Sequence, residues 1–412
     1  MLRFRELIPT LPREAWVVLG GDAISAVGTG LTLPFLLVYL HSVRGIPLAL
    51  AGLAVSMIAA GSIAGNLAGG SFSDRLGPRN AVVVGLAIAA AGTAMLTLVD
   101  APWQAFAATA TAGLGAGIVW PAQDALLATV VEPAQRSSVF SVRMASMNAG
   151  LGIGALAAAA VVDSSSAHSF VVLYLLDALS FVAVIPILFT VAARASAPHG
   201  EPVQSPGTYR QVVGDKTFLR VWGLSALLVA LSYGQLSSAF PAYATRPGGI
   251  PASALGLAFA ANTVTVVVAQ LVVLRTMRGR RRTTGILAAC TAWATAWSLT
   301  LVAGQLGDSA NATTVFVLAM VVFGLAETFL SPSLTPIVND LAPDALTGRY
   351  NGLSTLAWTS GFLTGPAIAG VSLGSDHGSA LFVGLIVACA VAATGALRLQ
   401  RHLPAQANTI AA

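Results

Sequence analysis

Residues 65–79 read Gly65-Asn66-Leu67-Ala68-Gly69-Gly70-Ser71-Phe72-Ser73-Asp74-Arg75-Leu76-Gly77-Pro78-Arg79, and they join two apolar runs, 47–70 and 81–99. The stretch passes from small side chains through a charged pair into a Gly-Pro turn. Small residues let helix backbones approach closely in lipid, and glycine closes a tight turn. Asp74, Arg75 and Arg79 mark where the chain leaves apolar surroundings. A turn of this make-up between two runs of spanning length belongs to a polytopic membrane protein.

The rest of the chain fits that frame. Of its 412 residues 56% are hydrophobic and 9% are charged, against roughly 25% charged in a soluble domain. A bilayer core takes about 20 apolar residues per helix, and backbone polar groups in lipid must be satisfied within each segment. Runs able to span lie at 16–40, 47–70, 81–99, 103–130, 138–162 and 169–192, then at 217–244, 252–274, 284–305, 313–338, 350–373 and 379–397. The intervening stretch 193–215 holds Pro198, His199, Gly200, Glu201, Pro202, Pro206 and Gly207, a breaker-rich linker. The expected fold is all-α: a six-helix bundle (1–192), a cytoplasmic linker (193–215) and a second six-helix bundle (216–412). Met1–Trp16 shows no small-residue cleavage site after its first apolar run, so no removable signal peptide is expected.

With the N-terminus in the cytoplasm, every Lys and Arg except Arg44 and Arg246 falls on an inward-facing segment. That asymmetry places both termini inside and makes the helix count even. The two halves also resemble each other. Glu132-Pro133-Ala134-Gln135-Arg136 leads to Gly150-x-x-x-Gly154 in one, and Ala342-Pro343-Asp344 leads to Gly361-x-x-x-Gly365-Pro366 in the other. Arg278-Gly279-Arg280-Arg281 is the basic counterpart of the Asp74–Arg79 loop. Such a parallel duplication carries its substrate site between the repeats.

The 65–79 segment resembles the loop signature of the major facilitator superfamily, in which small residues, Asp-Arg, Gly and a basic residue join helices two and three. With the duplication, the resemblance extends over nearly the whole chain and implies two pseudo-symmetric bundles. Within the superfamily the chain is similar to the twelve-helix drug:proton antiporter branch. That similarity rests on Asp22 with Pro34 in helix one, Trp120-Pro121-Ala122-Gln123 in helix four and the glycine series Gly150, Gly152, Gly154 in helix five. Where that branch often carries an arginine in helix four, this chain has Thr109, and Gly154 is followed by Ala155 instead of proline. The resemblance implies gating by Asp74 and Arg75, with Arg79 and Asp340 at the corresponding loops; Arg281 is a plausible partner for Asp340.

Ionisable groups inside spans are functional candidates. Asp22, Asp124, Asp177 and Glu327 lie well inside apolar runs, whereas His41, His168, His199, His377 and His402 fall at helix ends or in loops, which excludes a histidine relay. Asp22, six residues past Trp16, sits about 9 Å into the membrane at 1.5 Å per residue, and Asp124 and Arg143 lie at similar depth. The three are expected to cluster, with two carboxylates competing for one arginine and one acid left ready to take a proton. Glu327 sits near the middle of helix ten, where desolvation favours the neutral acid, and the resemblance turns that helix toward the central cavity. The proton-coupling candidates are therefore Asp22, Asp124, Glu327 and Arg143. Asp177, on a helix the resemblance places at the periphery, is expected to hydrogen-bond between helices.

Aromatic, amide and thioether side chains on cavity helices supply the pocket candidates Trp120, Met144, Asn148, Tyr233, Gln235, Asn262 and Trp358. Such a pocket suits small amphipathic or weakly cationic cargo. No catalytic constellation, metal-ligand cluster or phosphate loop is visible, and Cys290 and Cys389 both lie in apolar runs. No enzyme, cofactor, metal or nucleic-acid partner is expected; the partners are a small-molecule substrate, protons and the bilayer of a bacterial inner membrane, with nothing demanding more than a monomer. A proton-driven exporter leads. Its alternatives are a proton-coupled nutrient importer and a non-transporting sensor or scaffold.

Overall fold

Apolar length dictates the architecture. The computed structural model describes residues 11–132, 135–162, 166–191, 209–307, 309–343, 346–375 and 377–410, so most of the linker 193–215 lies outside the described residues. Within these, 12 helical stretches are long and apolar enough to cross a membrane, two of them, Arg13–Val43 and Lys216–Thr245, running through breaks in the helix. The first six are α1 (Arg13–Thr32), α2 (Leu48–Leu76), α3 (Pro78–Met95), α4 (Pro102–Val130), α5 (Arg136–Val161) and α6 (Ala167–Phe189). The second six are α7 (Lys216–Leu231), α8 (Ala252–Met277), α9 (Arg282–Gln305), α10 (Ala310–Leu330), α11 (Thr347–Gly374) and α12 (Gly378–Gln400).

Local chemistry sets their ends. Gly77 takes a left-handed φ of 80°, and Pro78 and Pro102 open α3 and α4 at positions where an N–H has no helical partner. Asp215 caps α7 by accepting from the Thr217 and Phe218 amides, and its other oxygen accepts from Tyr350 Oη of α11 at 2.9 Å.

Three expected helices are not continuous. After α1 the chain tightens into a 3-10 turn at Leu33–Phe35, because Pro34 has no N–H for the ladder, and it widens into a π turn at Tyr39–Val43. The 217–244 run is interrupted after Leu231, with short helices at Tyr233–Leu236 and Ala239–Thr245. Ser232 and Ser238 turn their hydroxyls onto the Leu228 and Gly234 carbonyls, at 2.5 and 2.6 Å, and leave helical geometry. Pro332 follows the end of α10, and a separate helix runs from Leu334 to Leu341.

The described residues divide into two compact units, Met1–Leu33 with Met57–Pro202 and Pro34–Ser56 with Val203–Ala412. Each contains a glycine-on-glycine crossing. In the first, a Cβ on Gly154 of α5 would lie 2.8 Å from Gly30 Cα of α1. In the second, a Cβ on Gly365 of α11 would lie 2.6 Å from Gly234 Cα in the broken segment after α7. Only the missing side chains allow these approaches, and the matched crossings express the internal duplication in three dimensions.

The end of the chain folds back on the turn between α8 and α9. Ile410 N donates to Arg280 O and Gly279 N to Ile410 O, both at 3.0 Å, and Arg282 N donates to Asn408 O at 2.7 Å.

Candidate functional site

In the first unit one guanidinium gathers two carboxylates. Arg143 of α5 is 4% exposed. Its Nε donates to Asp22 Oδ2 of α1 at 2.8 Å, its Nη1 pairs with Asp124 Oδ1 of α4, and its Nη2 donates to Gln123 Oε1 at 3.0 Å. Gln123 Nε2 donates in turn to Asp22 Oδ1. The flat face of the guanidinium lies over the Trp120 ring at 4.6 Å. The fork geometry of arginine serves several acceptors at once, as a lysine could not.

Helical spacing builds this cluster. Trp120, Gln123 and Asp124 stand at i, i+3 and i+4 on α4, which sets them on one face. Ala122, Leu126 and Leu127 of the same helix enter an apolar core shared with Ala15, Val18 and Leu19 of α1 and Ala81, Val82 and Leu86 of α3. Gln123 was not among the residues singled out from sequence. The i, i+3, i+4 spacing was the available signal.

The other candidates of this unit sit apart. Asp177 of α6 is buried and accepts from Thr32 Oγ1 at 2.7 Å, joining α6 to the end of α1. Met144 is exposed and Asn148 half-buried on α5. At the end of α2 Arg75 is exposed, whereas Arg79 at the start of α3 reaches the Val191 carbonyl at 3.3 Å and covers the Phe189 ring at 5.4 Å. The Asp74 side chain lies outside the described residues.

The second unit holds one intramembrane carboxyl, and its surroundings differ. Glu327 of α10 is half-buried, with the Asn262 amide of α8 as polar neighbour and Tyr233 within electrostatic reach. Gly324, one turn earlier, lets α10 approach α8: a Cβ there would lie 2.7 Å from Asn262 O. The Tyr233 ring is 5.6 Å from Trp358, 6.3 Å from Phe362 and 6.4 Å from the fully buried Trp293. Among the described residues no cation pairs with Glu327 or lies over these rings. Gln235 is 1% exposed and donates to the Ala230 and Gly365 carbonyls at 2.9 and 3.1 Å, so its amide NH2 stitches the helix break to α11.

On the turn between α8 and α9, Asp340 pairs with Arg282 rather than with its neighbour Arg281. Arg281 is held through its backbone in a bridge to Thr409, while the Arg282 Nη1 also donates to Ala407 O at 2.9 Å. Among the described residues no group of three or more His, Cys, Asp or Glu side chains could hold a metal ion.

Known proteins share this organisation. A family model described as Major Facilitator Superfamily matches residues 18–366 and 222–411. The uncharacterized MFS-type transporter YttB of Bacillus subtilis (strain 168) is 26% identical over 407 residues, 97% of this chain and 98% of that protein. A Na(+), Li(+), K(+)/H(+) antiporter of Planococcus maritimus is 25% identical over 399 residues, covering 86% of this chain and 88% of that one. Among solved structures, the crystal structure of nucleoside transporter NupG matches 95% of this chain and 100% of its own with a TM-score of 0.79 at 13% identity. A likeness at that identity speaks to the fold alone.

Proposed function

The chain belongs to the major facilitator superfamily of membrane transporters, and from that premise we propose that it is a proton-coupled exporter of small amphipathic, weakly cationic compounds. The observation that carries the proposal is the Glu327 site. A carboxyl with an amide neighbour, in electrostatic reach of Tyr233, whose ring lies near Trp358, and with no cation paired to it among the described residues, is chemically matched to an organic cation or a proton. The coupling set is Asp22, Asp124 and Arg143 in the first unit and Glu327 in the second. Trp120, Met144, Asn148, Tyr233, Asn262 and Trp358 are the cargo contacts, with Gln235 holding the segment that presents Tyr233. Two six-helix halves joined by the 193–215 linker would alternate access, with Asp74, Arg75, Arg79 and Asp340 gating, in an inner membrane with both termini cytoplasmic.

A second reading is monovalent-cation/proton antiport. The Planococcus relative, which is named for that exchange, favours it over most of the chain length.

Both are tested in proteoliposomes containing a pH-sensitive dye, with ethidium or with Na+, Li+ and K+ added outside, using wild type, Glu327→Gln and Asp22→Asn. Ethidium-dependent proton movement that Glu327→Gln abolishes supports export. Proton movement with alkali cations and none with ethidium moves the assignment to the second reading. If ethidium moves without protons, proton coupling is lost. If nothing moves, both readings fail and nutrient uptake becomes the next assay.

A further inference from the structure

The two acids on Arg143 are not equivalent. On Asp22, Oδ2 accepts from Arg143 Nε at 2.8 Å and Oδ1 accepts from Gln123 Nε2. Both oxygens therefore already accept from N–H donors, and at 6% exposed the residue offers its remaining lone pairs little access to water. Among the described residues Asp124 has one donor, Arg143 Nη1, and its side chain is 52% exposed. One acid is enclosed and satisfied; the other is open and singly held.

Gln123 makes that difference. Its Oε1 accepts from Arg143 Nη2 at 3.0 Å while its Nε2 donates to Asp22, and the residue is 4% exposed. A neutral amide offers donor and acceptor at once, so it can bridge a cation and an anion without adding charge. Turned over, it would set its oxygen against the Asp22 carboxylate and its NH2 against the guanidinium; the network allows one orientation. Two carboxylates against one guanidinium leave a single negative charge, which one proton or one monovalent cation neutralises.

We propose that Gln123 is the positioning residue of this cluster: it holds Asp22 as the permanent counter-charge of Arg143 and leaves Asp124 as the acid that exchanges its Arg143 contact for a proton or a cargo cation. The assignment rests on the proton-coupled reading and says which acid does the coupling. Among the described residues no other charge around α4 is bonded at the site. From α1 comes Asp22 and from α5 Arg143, whereas Arg79 of α3 is turned to the Val191 carbonyl and the Phe189 ring. Arg75 of α2 is exposed, and the Asp74 side chain lies outside the described residues.

The test is pH-difference infrared spectroscopy of carboxyl protonation on the purified full-length chain in nanodiscs. Conservative exchanges keep the charge count but move the carboxyl band, because Asp and Glu absorb at different frequencies. In the wild-type background Asp124→Glu is expected to shift the titrating band, and Asp22→Glu to leave it in place. With Gln123→Leu, Asp22 loses a donor, and the band becomes sensitive to Asp22→Glu as well. Gln123→Asn, polar but too short to reach both partners, takes its place if Gln123→Leu does not fold. A band that follows Asp22→Glu in the wild-type background overturns the assignment. So does a band that stays with Asp124 alone after Gln123 is changed, or the lack of any titrating band from either acid. These spectra require no transport, so failure of the ethidium assay would sink the exporter reading and leave the assignment to stand or fall on the bands.

Discussion

The Arg143 cluster in the first unit and the Glu327 site in the second handle intramembrane charge in opposite ways. Around Arg143 the protein supplies its own compensation: two carboxylates, an amide and an aromatic face are all engaged by one guanidinium. Around Glu327 it supplies an amide and Tyr233, whose ring packs near Trp293, Trp358 and Phe362. The same contrast runs through the tryptophans. Trp120 already has a cation over its face, whereas the Tyr233–Trp358 pair has none among the described residues. A compensated cluster suits holding and passing a charge, and an uncompensated one suits receiving it from outside. The repeats share a fold ancestry visible in the Gly30–Gly154 and Gly234–Gly365 crossings, yet they have divided the electrostatic work.

The contrast is most exposed at Arg143. Arg143→Met strands Asp22 in the interior, and removing one partner of a buried pair costs roughly 3–5 kcal/mol. Thermal unfolding in detergent is expected to show that loss, with Asp22→Asn added to Arg143→Met recovering more than half of it. A loss below about 1 kcal/mol, the size expected of an exposed pair, would mean that the cluster is wetter than its burial indicates. Next in size is the aromatic difference. Trp358→Ala should weaken ethidium binding by about 1–2 kcal/mol, the worth of a desolvated cation–π contact. Trp120→Ala, whose ring already serves Arg143, should change it less than about twofold. Equal effects in a fluorescence titration would erase the distinction between an occupied and a vacant ring. The smallest expected effect is on the stability of Glu327→Gln. With no counter-cation to strand among the described residues, unfolding should move by less than about 0.5 kcal/mol. A shift rivalling that of Arg143→Met would reveal a partner for Glu327 and collapse the comparison.

Particular residues show how far the chain alone could be read. Asp22, Asp124 and Arg143 were placed at one depth by counting residues from helix ends at a fixed rise, and the structure brings those three side chains together. Counting could not reach Gln123, since an amide inside an apolar run looks like ordinary interhelical glue until its two partners are known. The 217–244 run read as one helix because its serines are mild in composition, and they interrupt it only through hydroxyl bonds to specific carbonyls. Asp340 was matched to the neighbouring arginine; the backbone of Arg281 is instead committed to Thr409, near the far end of the chain.

What the sequence by itself determined is what depends on distance along the chain: twelve apolar lengths, a charge-rich loop after the second helix, the repeat, and the depth of each buried acid. Helix rise is constant and lipid tolerates few charges, so these follow from residue order. The tertiary structure alone decided which donor meets which oxygen. Arg143 and Asp22 are separated by 121 positions, and a hydrogen bond of 2.8 Å between them depends on how two helices cross. That crossing is set by glycines such as Gly30 and Gly154, where the absence of a side chain lets the backbones touch.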